Sequence, residues 1–189
     1  MIFLIVGGVL VLFVIIVISV FIGFYNKLVK LKNTVKSAWS DIDVQLKKRY
    51  DLVPQLIETV KGASNYEKST LENVIKARAG AMGATSLPDK AKAEHAFGES
   101  LRGLIALAEA YPELKANANY TLLQGQLKDL EDTIECARRY YNAVTRDFNI
   151  CIESFPSNII ASWFRFEQGT MFGLESPETE RRPVKVDFS

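Results

Sequence analysis

The sequence predicts an all-α protein: an N-terminal transmembrane helix followed by an antiparallel bundle of long helices, with three to four helical segments. Three observations predict it. Ile2 to Phe24 contains no charged residue. Residues 120–151 carry apolar side chains at an unbroken alternation of three- and four-residue steps. No stretch shows sustained apolar–polar alternation bounded by turn dipeptides, so the signals of strands are missing.

The apolar run comes first. A helix over residues 2–24 is about 34 Å long, enough to cross a hydrocarbon core of about 30 Å. A cleaved signal peptide would have a basic start, a shorter apolar core and a small-x-small cleavage site. Here no Lys or Arg precedes the run and the run is too long, so residues 1–24 read as an anchor. The first positive side chains follow it: Lys27, Lys30, Lys32 and Lys36, with no acid before Asp41. By the positive-inside rule these lysines place the following domain in the cytoplasm and the N-terminus outside. They flank the membrane, and each is worth about 1 kcal/mol against anionic headgroups near the surface. Membrane lipids are therefore expected partners.

The bundle spans 25–153, with long helices expected at about 25–82, 89–110 and 112–153. Leu28, Leu31, Val35, Ala38, Ile42, Leu52 and Leu56 keep a heptad register, and a second stripe (Trp39, Ile42, Leu46, Tyr50, Val53, Ile57, Val60) runs beside it. Two adjoining stripes make a wide apolar face that packs against two neighbours. Trp39, Leu46 and Tyr50 are thus candidates for contact between chains. Pro54 lies inside the pattern and predicts a kink; the first helix, longer than the second, either bends at Pro54 or Gly62 or stands beyond its partners. The loop at residues 83–88 separates a second helix, capped by Asp89 or a neighbour. Tyr120, Leu123, Leu127, Leu130, Ile134, Ala137, Tyr141, Val144, Phe148 and Cys151 form the seam of the last helix, with Pro112 in its first turn and Pro156 beyond its end. In a three-helix hairpin this last helix runs parallel to the first, which puts its C-terminus far from the membrane. Residues 154–175 form a short aromatic amphipathic segment, with Phe155, Ile159, Trp163 and Phe166 on one face. It covers the end of the bundle, binds a neighbouring subunit or lies on a membrane interface. Residues 176–189 are an extended tail.

Composition excludes several classes. The 189 residues carry a net charge of +1, which gives no electrostatic footprint for nucleic acid. Cys136 and Cys151 stand about 22 Å apart along one helix, too far for a disulfide, and are expected as buried free thiols. There is no Cys/His cluster for a metal, and no cofactor is implied. His95 is the only histidine and reads as a solvated surface residue. Ser100 has no nucleophile elbow around it. Asp41 and Asp43 point about 200° apart on a helix and cannot share a proton. Gln45 and Arg49 differ from all of these, because they hold seam positions where apolar residues are expected. A buried arginine needs a carboxylate, and Glu131 or Glu135 can supply it, fixing helix register; otherwise the seam rotates and Arg49 snorkels to water.

The residues also resemble a family. YNKLVKLKNTVKSAWSDIDVQLKKRYDLVPQLIETVKG, from Tyr25 to Gly62, is similar to the signature of the LemA family. So are YPELKANANYTLLQGQLKDLEDTIECARRYYNAVTRDFN, from Tyr111 to Asn149, and FPSNIIA, from Phe155 to Ala161. Asn65-Tyr66-Glu67 departs from the His-Glu pattern of many relatives. The resemblance implies a bacterial protein with an N-terminal anchor, a helical bundle and no established enzymatic activity. One branch of the family is linked to internal membranes in magnetosome-building bacteria, which implies membrane organisation. The expectation is a non-enzymatic, single-pass protein of the bacterial inner membrane that self-associates as a homo-oligomeric scaffold. The alternative is an adaptor that recruits a cytoplasmic protein partner.

Overall fold

A computed structural model describes residues 1–62 and 68–173. Its helices are α1 (Ile2–Lys61), α2 (Lys68–Gly83), α3 (Leu87–Glu109), α4 (Pro112–Lys115), α5 (Ala118–Glu153) and α6 (Ser157–Trp163). The expected tail, 176–189, and Asn65 to Glu67 lie outside the described residues. The chain divides into two units. One holds residues 1–41 and 139–171, and the other holds 42–138 with Phe172.

In the first unit, α1 begins with a segment long and apolar enough to cross a membrane. None of its apolar window is buried within the chain, as a lipid-facing segment requires and a soluble core helix does not allow. Beyond it, Leu28, Phe148, Cys151, Ile160 and Ala161 form a core, with Phe21, Phe24, Tyr25, Leu31 and Phe166 packed against it. Trp39 meets Tyr141 edge-on at 5.6 Å. Descending α1 from Trp39 to Leu28 therefore ascends α5 from Tyr141 to Phe148, so the two are antiparallel. This corrects the expected parallel pairing and brings the end of α5 to the end of the apolar run.

The second unit holds one long helix more than expected. The stretch 25–82 was expected as one helix, but α1 stops at Lys61, before Gly62, and α2 starts at Lys68. Glycine carries the highest conformational cost of the non-proline residues in a helix and is the preferred residue just past a C-terminus. The break adds a helix, α2, which packs against α3 and is tied to α1 through Arg78. Ser86 caps α3: its hydroxyl accepts from the Asp89 N–H at 3.2 Å and donates to the Asp89 carboxylate. The last long helix is also divided. Pro112 opens only the single turn α4, and the Asn117 side chain accepts from the N–H groups of Asn119 (2.9 Å) and Tyr120 (3.3 Å), which starts α5.

Pro54 lies within α1, which continues through it. Having no N–H, it leaves the Tyr50 carbonyl without its helical donor. Arg78 of α2 fills that vacancy, its Nε donating to the Tyr50 carbonyl at 2.7 Å. A helix imperfection thus becomes a tie between two helices. The second stripe of α1 is covered by the same packing: Leu46, Val53, Ile57 and Val60 are buried within one chain, and so is Tyr50. Leu46 and Tyr50 are core residues, which corrects their expected role at a chain–chain interface; Trp39 is half-buried. Cys151 is buried, but Cys136 is exposed, because it follows the seam residue Ile134 by two positions and so faces away from it.

Candidate functional site

Two features stand out, one in each unit. In the second unit the buried seam of α3 runs Lys90, Glu94, Phe97, Leu101, Leu104, Ala108, in steps of four and three. It therefore carries a carboxylate at a core position, as α1 carries Arg49. The two meet. Arg49 is 2% exposed; its Nη2 pairs with Glu94, whose side chain is fully buried, and its Nη1 reaches Glu131 Oε1 at 2.5 Å. Tyr50 donates its hydroxyl to the other Glu94 oxygen. Arg138 Nη2 stands 3.8 Å from Glu94. The Arg49 guanidinium lies 5.1 Å over the ring of Phe97, and that of Arg138 lies 4.6 Å over Phe172.

Two arginines and two glutamates balance one another, so no net charge is buried. The energetic weight falls on Glu94. Glu131 is 43% exposed and solvent screens it, whereas Glu94 has no water to turn to. Burial, followed by the charge of Arg49, lowers the affinity of Arg138 for its proton.

Tyr50 responds to the same setting. Burial first, then its hydrogen bond to Glu94 and that carboxylate's charge, hold its hydroxyl well above the ordinary tyrosine value. Above about pH 10 the unfolded chain releases this proton and the folded chain keeps it, so folding loses stability as pH rises. Tyr50→Phe is expected to flatten that alkaline slope by about 1.4 kcal/mol per pH unit, read from denaturant melts above about pH 10. An unchanged slope would place the Tyr50 hydroxyl in water.

Of the residues singled out by sequence, Arg49 and Glu131 come together. Gln45 is partly buried, Glu135 is exposed, and His95 is exposed near Glu99. Asp43 stands 3.8 Å from Lys90. Glu94 and Arg138 were missed. Extending the apolar seam of α3 backward from Phe97 by three residues would have found Glu94.

The first unit carries an aromatic collar at the end of the apolar run. The inner face of α6 is Ser157, Ile160 and Ala161. Its outer face presents Ile159 (54% exposed) and Trp163 (74%), and Phe155, just before the helix, is 80% exposed. Trp163 and Phe164 each stand 6.0 Å from Phe21, and Phe164 is 4.7 Å from Tyr25. Phe166 is partly buried, 6.2 Å from Tyr25 and 6.4 Å from Phe148. Lys27, Lys30, Lys32 and Lys36 are all exposed along α1 just beyond.

These features define a class: helical-bundle proteins led by a helix of membrane-spanning length and apolarity. The LemA family model matches residues 38–188, so the chain belongs to the LemA family. The apolar run and its lysine flank lie before the matched region. The chain is 28% identical to Protein LemA of Metamycoplasma hominis over 174 residues, 90% of this chain and 76% of that one. Over 80 residues, 42% of this chain, it is 32% identical to magnetosome protein MamQ 2 of Paramagnetospirillum magneticum and 30% identical to magnetosome protein MamQ of Magnetospirillum gryphiswaldense. The match spans 29% of the length of each of these two relatives.

Proposed function

We propose that this protein is a non-enzymatic, single-pass scaffold that self-associates to organise or remodel the bacterial inner membrane, with its N-terminus outside and its bundle in the cytoplasm. The outer face of α6 carries this reading. A simple tether needs only the span. Here Phe155, Ile159 and Trp163 offer the same chain a second, shallow apolar contact, with Trp163 beside Phe21. Trp and Phe suit the interfacial layer, and a helix lying in that layer is sensitive to curvature. The magnetosome relatives fit a membrane-organising role, and the exposed lysine flank supports the orientation.

An adaptor is the second reading. A groove of about 600 Å³ in the second unit, lined by Gly98, Leu101, Ile105, Gly125 and Leu127, favours it, because its two glycines let a partner approach closely. Mass decides between the two. Full-length protein in mild detergent is expected to run as a large defined oligomer. A monomer would reject the scaffold and leave the adaptor.

A further inference from the structure

A cleft of about 570 Å³ opens in the unit that carries the apolar run. Lys32, Lys36 and Arg165 line it, with Trp39 and Tyr141 as aromatic walls and Glu167 as the single acid. Among the described residues none of the three cations has an ion-pair partner; Lys32 instead sits 5.6 Å over the ring of Phe166.

The strap that brings Arg165 here is built into place. Arg165 holds φ at 54°, a left-handed conformation that L side chains rarely adopt and that costs about 1–2 kcal/mol. The residues after it are clamped to α5. The Gly169 N–H donates to Asn149 Oδ1 at 2.8 Å, and Asn149 Nδ2 donates back to the Gly169 carbonyl at 2.9 Å. The Tyr141 hydroxyl donates to the Thr170 carbonyl at 2.7 Å. A Cβ on residue 169 would stand 2.9 Å from Thr145 Cγ2, so only glycine lets the strap lie this close. Such strain persists where surrounding structure over-determines it, and it concentrates at ligand sites.

Position supplies the ligand. Phe166 joins Lys32 on one side to Tyr25 on the other, at 5.6 and 6.2 Å. Along α1 the cleft runs from Lys32 to Trp39, about 12–22 Å beyond Phe24, so only its near end, at Lys32, lies within side-chain reach of the headgroup layer. Two ammonium groups and one guanidinium fork are a phosphate-binding set, and the aromatic walls suit the polar arm that carries it.

We propose that this cleft binds the phosphate of an anionic lipid headgroup in the leaflet from which the span emerges. The inference rests on α1 being a membrane anchor but not on self-association.

The test is native mass spectrometry of the full-length protein in detergent, with phosphatidylglycerol, phosphatidylcholine or inorganic phosphate as probes. At about 1 kcal/mol for each cation beside the headgroup, a factor of about five, the three cations are expected to make phosphatidylglycerol bind on the order of 100-fold more tightly than phosphatidylcholine. Replacing Lys32 and Lys36 by Ala should cut that preference to about fivefold, the share of Arg165. Both side chains are exposed, so this pair leaves the fold intact. Arg165→Asn, which tolerates the left-handed backbone, should weaken the preference in the same direction. Replacing Lys27 and Lys30, which removes the same charge outside the cleft, should cost clearly less of the preference, because in detergent there is no charged bilayer surface for them to meet. Equal losses in the two lysine pairs would reduce the effect to diffuse attraction and overturn the site. No preference in the unaltered chain would overturn it too. Inorganic phosphate binding as tightly as phosphatidylglycerol would make it a site for a soluble anion instead. A monomer that keeps the preference would reject the scaffold and retain the site.

Discussion

Arg49→Met is expected to destabilise the fold by about 3–5 kcal/mol, the usual consequence of removing one partner of a buried ion pair. For a chain of this size that is a fall in Tm of roughly 8–16 °C. The loss comes less from the missing contact than from what stays behind. Glu94 is fully buried, and without Arg49 it keeps only the Tyr50 hydroxyl and a more distant Arg138. The double variant Arg49→Met with Glu94→Leu removes the stranded charge as well. Apolar replacement of a whole buried pair is often neutral, so most of the lost stability is expected to return. The pattern of the two melts carries the argument. A single variant melting within about 2 °C of the unaltered chain would mean that Arg49 is hydrated. A double variant as weak as the single would mean that the cost is packing around Phe97, not charge. If the double variant is stable but aggregates or populates several oligomers, the network's contribution is helix register.

The same residues show how far sequence reasoning reaches. The membrane-length run, the helical class and the seam of α5 were legible because each repeats a simple period over many residues. Arg49 was legible because it interrupts such a period, and Glu131 because it faces the interruption. Glu94 was not, because the apolar pattern of its helix was read from Phe97 onward and a charged residue at a core position looks like the edge of the pattern. The direction of α5 was not legible, because the contacts that set it, Trp39 with Tyr141 and Leu28 with Phe148, join residues far apart in sequence. The break after Lys61 was not legible as an end, because a periodic signal on both sides of a short break reads as one helix. The cleft at Arg165 was illegible for another reason. Its residues come from α1, α5 and the strap after α6, more than a hundred positions apart, and share no local period.

The direction of α5 decides what the aromatic face of α6 can touch. With α5 antiparallel to α1 inside the first unit, Trp163 stands beside Phe21 and not at a remote end. In a chain reconstituted into nanodiscs with Trp39→Phe, Trp163 is the remaining tryptophan, and a shallow lipid-borne quencher is expected to remove more than half of its emission. Trp and Phe bring 150–250 Å² each, so the outer face of α6 exposes roughly 350 Å² of apolar surface. At about 25 cal/mol per Å² its full burial is worth about 9 kcal/mol, and half immersion about 4. Replacing Phe155, Ile159 and Trp163 together by Ser should leave the Tm of the bundle within about 2 °C, because all three point away from the core. It should abolish the change in vesicle diameter that the unaltered chain is expected to produce on reconstitution. Quenching without any effect of the triple variant on vesicles would leave α6 as an interfacial float with no part in remodelling. Absence of quenching, together with loss of the oligomer in the triple variant, would assign the face to a neighbouring subunit and reject its contact with the membrane.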